Sequence, residues 1–78
     1  MPQISVVLYT RRGCHLCDEA KSLLQCEGLD PKELDIDAEP TLREQYDECV
    51  PVVEINGRVR FRGRVDPVLL RRIVTAEG

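Results

Sequence analysis

The stretch Ile4-Ser5-Val6-Val7-Leu8-Tyr9-Thr10-Arg11-Arg12-Gly13-Cys14-His15-Leu16-Cys17 decides how this chain is read. Its first six residues are β-branched or apolar on both faces, which predicts a central buried strand over residues 4–9. Thr10-Arg11-Arg12-Gly13 breaks that strand. A helix is then predicted from Cys14 or His15 to Glu27, because Leu16, Ala20, Leu23 and Leu24 recur at i, i+4, i+7 and i+8 and share one face. Gly28 stands where a helix ends on a left-handed residue. Cys14 and Cys17 therefore fall where a strand ends and a helix begins.

That placement carries chemistry. The first turn of a helix has unpaired N–H groups and about half a positive charge. A thiolate at Cys14 is stabilised there, so its pKa is expected below the free value of about 8.5. Cys17 lies one turn in and is expected to be more buried. Two cysteines so spaced can close a disulfide by small side-chain rotations. The expected catalysis has two steps: Cys14 attacks a substrate disulfide to give a mixed disulfide, and Cys17 then displaces the substrate and closes the Cys14–Cys17 bond. A reductase or thiol donor must restore the dithiol. His15, if protonated near the Cys14 sulfur, would lower its pKa further; the alternative is an exposed loop residue. Arg11 and Arg12 either act in the same way, bind a carboxylate, or are ordinary surface arginines.

Outward from this segment, Lys32 to Asp37 alternates, with Leu34 and Ile36 facing one way, and reads as a half-buried strand. Pro40 opens a short helix carrying the apolar pair Leu42 and Tyr46. Val52 to Ile55 is a strand, and Asn56-Gly57 is a strong hairpin signal. In the next strand Val59 and Phe61 alternate with Arg58, Arg60 and Arg62, which suits an exposed sheet edge with the arginines on one face. Asp66-Pro67 caps a last helix whose apolar face is Leu69, Leu70, Ile73 and Val74. The order β-α-β-α-β-β-α predicts an α/β domain over residues 1–78, with a mixed four-stranded sheet flanked by three helices.

Composition narrows the function classes. No apolar run approaches the roughly 18 residues of a membrane helix, and the N-terminus does not read as a signal peptide, so no membrane role and a cytoplasmic location are expected. The net charge of −3 conceals an asymmetry: residues 1–56 carry −7 and residues 57–78 carry +4. The basic end either attracts an anionic partner or is a solvated face. The negative total, with Tyr9, Tyr46 and Phe61 needed for packing, argues against nucleic-acid binding. A zinc site would need two further ligands beside Cys14 and Cys17; Cys26 and Cys49 are isolated, so no metal is expected. Cys26 borders the apolar face of the first helix, where packing is its expected role.

These residues resemble the glutaredoxin family of the thioredoxin fold, specifically its short glutaredoxin-like members. The resemblance runs through Tyr9-Thr10-Arg11, Cys14-His15-Leu16-Cys17, Val50-Pro51-Val52-Val53, Asn56-Gly57 and Phe61-Arg62-Gly63. It implies a cytoplasmic, monomeric dithiol oxidoreductase of electron transport. No bound cofactor is implied, and glutathione is a possible co-substrate. Cys14 and Cys17 are the implied catalytic pair. The Val50–Pro51 bond is implied to be cis and to lie against that pair, with the Val50 backbone open to pair with substrate. Arg11 stands where the family usually has a lysine that holds a glutathione carboxylate. Cys49 occupies a position often held by threonine, either as a third redox thiol or as a small buried hydrophobe. His15-Leu16 replaces the usual Pro-Tyr, and Arg62-Gly63-Arg64-Val65-Asp66 lacks the usual second glycine and one acid. The electron donor, glutathione or a thioredoxin-reductase system, is thus left open. Two further classes stand beside the enzyme: a redox-sensing adaptor whose C-x-x-C toggles without cycling, and a metal- or cluster-handling protein.

Overall fold

The structure is a computed structural model and describes residues 4–46 and 50–77. In chain order it contains β1 (Val6–Thr10), α1 (His15–Cys26), β2 (Lys32–Asp35), a 3-10 turn (Ile36–Ala38), α2 (Pro40–Tyr46), β3 (Val52–Ile55), β4 (Arg58–Arg62) and α3 (Pro67–Glu77). The strands form one sheet in the order β2-β1-β3-β4. β1 pairs parallel with β2, while β1–β3 and β3–β4 are antiparallel. This is the mixed four-stranded sheet with three helices that the sequence predicts.

Strand alternation gives the sheet two covered faces. Val6, Leu8, Val53, Ile55 and Phe61 pack with Ala20 and Leu24 of α1 and with Leu70 and Ile73 of α3. Tyr9 and Val52 turn the other way, onto Ile36 of the 3-10 turn and Tyr46 of α2. Leu8, Leu24, Ile55 and Leu70 are fully buried, each contributing about 1.5–3 kcal/mol of transfer free energy. With both faces covered, the interior strand β1 is a rigid base for the turn at its C-terminal end.

Local chemistry explains the boundaries. At the end of α1 the Gly28 amide donates to Gln25 O at 2.9 Å and the Leu29 amide to Leu24 O at 3.1 Å. That pairing needs a left-handed residue, and Gly28 supplies it at φ +77°. Asn56 and Gly57 both have positive φ, the requirement of a two-residue hairpin turn. The Asp66 carboxylate accepts from the amides of Val68 and Leu69 and so caps α3.

Four local expectations need correction. β2 ends at Asp35, two residues short, because the Asp35 carboxylate accepts from the Asp37 amide at 2.9 Å and turns the chain into the 3-10 turn. Leu16 and Leu69 are exposed rather than core, at 36% and 45%; Cys17 is buried in α1, and Leu70 with Ile73 in α3. Cys26 is exposed, so packing is not its role. The arginines of β4 do not share a face, because Phe61 opposes Val53 and Val59 opposes Glu54, leaving Arg60 as an unopposed bulge residue. Phe61 and Val59 consequently pack on opposite sides of the sheet.

Candidate active site

The site is built where β1 ends. Arg11 O accepts from the Cys14 amide at 3.3 Å, a tight turn that delivers Cys14 to the N-cap of α1. Its backbone is extended there, at φ −90° and ψ 109°, and its carbonyl accepts the first helical bond from Asp18 N at 3.2 Å. Its side chain does what a capping oxygen usually does: Sγ accepts from the Cys17 amide at 3.1 Å. An orphan N–H of the first turn is thereby aimed at the sulfur.

Cys14 and Cys17 are joined as a disulfide, with Cα atoms 5.2 Å apart. Cys17 is 3% exposed, whereas Cys14 is half-buried, and His15 and Leu16 between them are exposed. The more exposed residue of the pair is thus bonded to a buried one a turn further into α1. His15 is exposed and is the first residue of α1.

Register brings further elements to the same end of the sheet. Tyr9 opposes Val52, so the segment before β3 lies beside the end of β1. That segment is Val50-Pro51, and its peptide bond is cis. Pro51 is buried and its carbonyl accepts from the Gly63 amide at 2.8 Å, which fastens the Arg62-Gly63-Arg64 turn to it. Cys49 lies outside the described residues. Cys26 lies away from this end, at the far end of α1 in a groove with Leu23, Pro67 and Val68.

Arg11 also lies at this end, and its guanidinium is engaged. Nε donates to Asp37 Oδ2 at 3.1 Å and Nη2 to Asp37 Oδ1 at 3.0 Å. Arg43 adds a longer contact of 3.8 Å to the same carboxylate. The hydrogen bond from Arg11 holds the Asp37 carboxyl below the ordinary range. Sequence reasoning missed Asp37. Its signal lay in the parallel pairing of Thr10 with Asp35, which carries Arg11 and Asp37 past the same sheet end. Behind the pair, Tyr9 donates to Glu54 Oε2 at 3.0 Å and its ring meets Tyr46 with centroids 4.8 Å apart. Burial first, then the bond to Glu54, pushes the Tyr9 phenol up to about 12. It is a neutral, structural tyrosine.

Among the described residues, no group of three or more His, Cys, Asp or Glu side chains is arranged to hold a metal ion. No helix among them is long and apolar enough to cross a membrane.

Comparison with known proteins agrees with this arrangement. A family model described as a glutaredoxin-like domain matches residues 5–74. N-acetyl-S-hydroxy-L-cysteine reductase of Bacillus subtilis is 29% identical over 65 residues, covering 77% of this chain and 70% of that protein. The solved structure of protein XcR50 from X. campestris superposes with a TM-score of 0.81 at 28% identity, over 95% of this chain and all of the other (100%). NrdH-redoxin of Escherichia coli, described as a glutaredoxin-like protein with a thioredoxin-like activity profile, gives a TM-score of 0.68 at 26% identity, over 88% and 93% of the two chains. The fold is the thioredoxin-like one of these neighbours.

Proposed function

The chain belongs to the glutaredoxin-like domain family, and from that premise we propose that it is a dithiol oxidoreductase that reduces disulfides through Cys14 and Cys17. The observation that carries this reading is the sulfur cap of α1: Cys14 Sγ accepts from the Cys17 amide, with Cys17 buried in bonding reach. In the reduced protein the same amide and the helix dipole favour the thiolate at Cys14. That thiolate attacks one sulfur of a substrate disulfide. The second substrate sulfur leaves as a thiolate, and Cys14 is joined to the first. Cys17, losing its proton, attacks Cys14; the first substrate sulfur leaves and the Cys14–Cys17 disulfide closes. Two electrons pass from the dithiol to the substrate, and an external dithiol, or two monothiols, returns them. The backbone of Val50 beside Pro51 is the proposed surface on which a substrate segment lies, and Arg11 a proposed cation for a substrate carboxylate once Asp37 is displaced. Proteins with disulfides and glutathione mixed disulfides are the proposed substrates, and a cytoplasmic monomer the proposed form.

The Bacillus subtilis relative, by its name a reductase of an S-hydroxy cysteine derivative, supports a second substrate class. The Cys14 thiol attacks the S–OH sulfur, water leaves, and Cys17 releases the thiol from the mixed disulfide. Electrons balance as before.

The test is turnover. The protein is supplied with a small disulfide, or with a low-molecular-weight sulfenic acid. Either glutathione with its reductase or a thioredoxin-reductase system serves as donor. Sustained turnover with one donor supports the enzyme reading. A single stoichiometric oxidation without cycling under either donor contradicts it and fits a redox-sensing adaptor.

A further inference from the structure

The basic side chains fall into two groups. Arg11 and Arg43 meet Asp37, Lys21 meets Glu33, Arg60 meets Glu77 and Arg71 meets Glu27. Arg12, Arg62 and Arg64 are exposed, and no carboxylate among the described residues pairs with them. All three gather at the end of the sheet that carries Cys14. Arg12 lies in the turn that delivers Cys14. Arg62 opposes Val52, whose other neighbour is Tyr9. Arg64 follows Gly63, the residue bonded to the Pro51 carbonyl. Of the carboxylates nearby, Asp37 meets Arg11, Glu33 meets Lys21, Asp35 accepts from the Asp37 amide and Asp66 caps α3, while Asp18, with Glu33 and Asp35, lines the pocket that Arg12 lines. Lys32, Arg58 and Arg72 also pair with no carboxylate among the described residues; Lys32 and Arg58 lie at the opposite end of the sheet, facing Val7 and Ile55, and Arg72 lies on α3.

We propose that Arg12, Arg62 and Arg64 form a docking rim for an acidic peptide segment, so that the preferred substrates are protein disulfides flanked by Asp or Glu. The proposal rests on the oxidoreductase reading and names its substrate class. Three exposed cations add little affinity individually. Together, at the Cys14 end of the sheet, they steer an anionic segment into encounter and fix its orientation. In the redox step the Cys14–Cys17 dithiol is oxidised to its disulfide as the peptide disulfide is reduced to two thiols.

The experiment is a single-turnover oxidation of the full-length reduced protein. Two disulfide peptides are used, identical except that Asp and Glu flank the cysteine in one, and Asn and Gln in the other. The readout is the ratio of their rate constants. The rim predicts a ratio of roughly tenfold at low salt, shrinking as the ionic strength rises. It predicts a clearly smaller ratio for Arg62→Gln/Arg64→Gln, which keeps only Arg12 of the rim, and an unaltered ratio for Arg58→Gln. Equal rates in the unmodified protein, a ratio undiminished by the double substitution, or an equal loss in Arg58→Gln each overturn the rim while leaving the oxidoreductase reading intact. A dithiol that neither peptide oxidises overturns that reading and the rim with it.

Discussion

The backbone amide of Cys17 donates to the Sγ of Cys14 at 3.1 Å, so a sulfur stands where a helix ordinarily carries a hydroxyl or carboxylate cap. The relationship ties redox chemistry to folding. In the proposed mechanism the N–H that α1 needs satisfied also stabilises charge on the attacking atom, and the residue donating it is the proposed resolving cysteine.

The first consequence is an asymmetry between the two cysteines. Cys14→Ser abolishes turnover, because no thiolate forms at the surface. Cys17→Ser still attacks but cannot release, so mixed disulfides accumulate and are seen by mass spectrometry of the intact protein. Cys26→Ser leaves the rate of dithiol oxidation unaltered, since Cys26 is exposed at the far end of α1. A Cys17→Ser protein that traps nothing, with Cys14 inert to alkylation, would mean the two roles are reversed.

The two leucines of contrasting burial separate core from surface. Leu24 is fully buried between α1 and the sheet, and Leu24→Ala is expected to cost about 2–5 kcal/mol in urea unfolding. Leu69 is 45% exposed, and Leu69→Ala is expected to cost no more than about 0.5 kcal/mol. Equal losses would place Leu69 in the core after all.

Tyr9 gives a pH signature. Its phenol is raised to about 12 by burial and by the bond to Glu54, so the folded state holds that proton more tightly than the unfolded chain. The stabilisation is complete below the ordinary phenol pKa of about 10 and is lost as pH rises through the folded value. A phenolate absorbance titration should show a late step that Tyr9→Phe removes. A Tyr9 step at the ordinary value would contradict the buried hydrogen bond.

Much of this molecule is legible in its sequence because local signals and the global pattern agree. Gly28 ends α1 by the left-handed turn that its position implies, and Asn56-Gly57 makes the hairpin. Cys14 and Cys17 are found by context, a strand before and a helix after, rather than by spacing alone. The bulge at Arg60 leaves no trace in the sequence, since a period-two pattern reads the same with or without an unopposed residue; only the register with β3 shows it. Arg11 and Asp37 are 26 residues apart, and nothing local to either announces the other. Leu16 and Leu69 look like core by spacing, yet each sits at the rim of its helix's apolar stripe, where one residue's rotation decides burial.

The central claim, that the start of α1 holds Cys14 as a thiolate, is tested most directly by the pH dependence of its alkylation in the reduced protein, resolved by mass spectrometry. The expected midpoint at Cys14 lies well below the free-thiol value of about 8.5, with Cys17 slower to react because it is buried. A Cys14 midpoint at or above that value would contradict the claim.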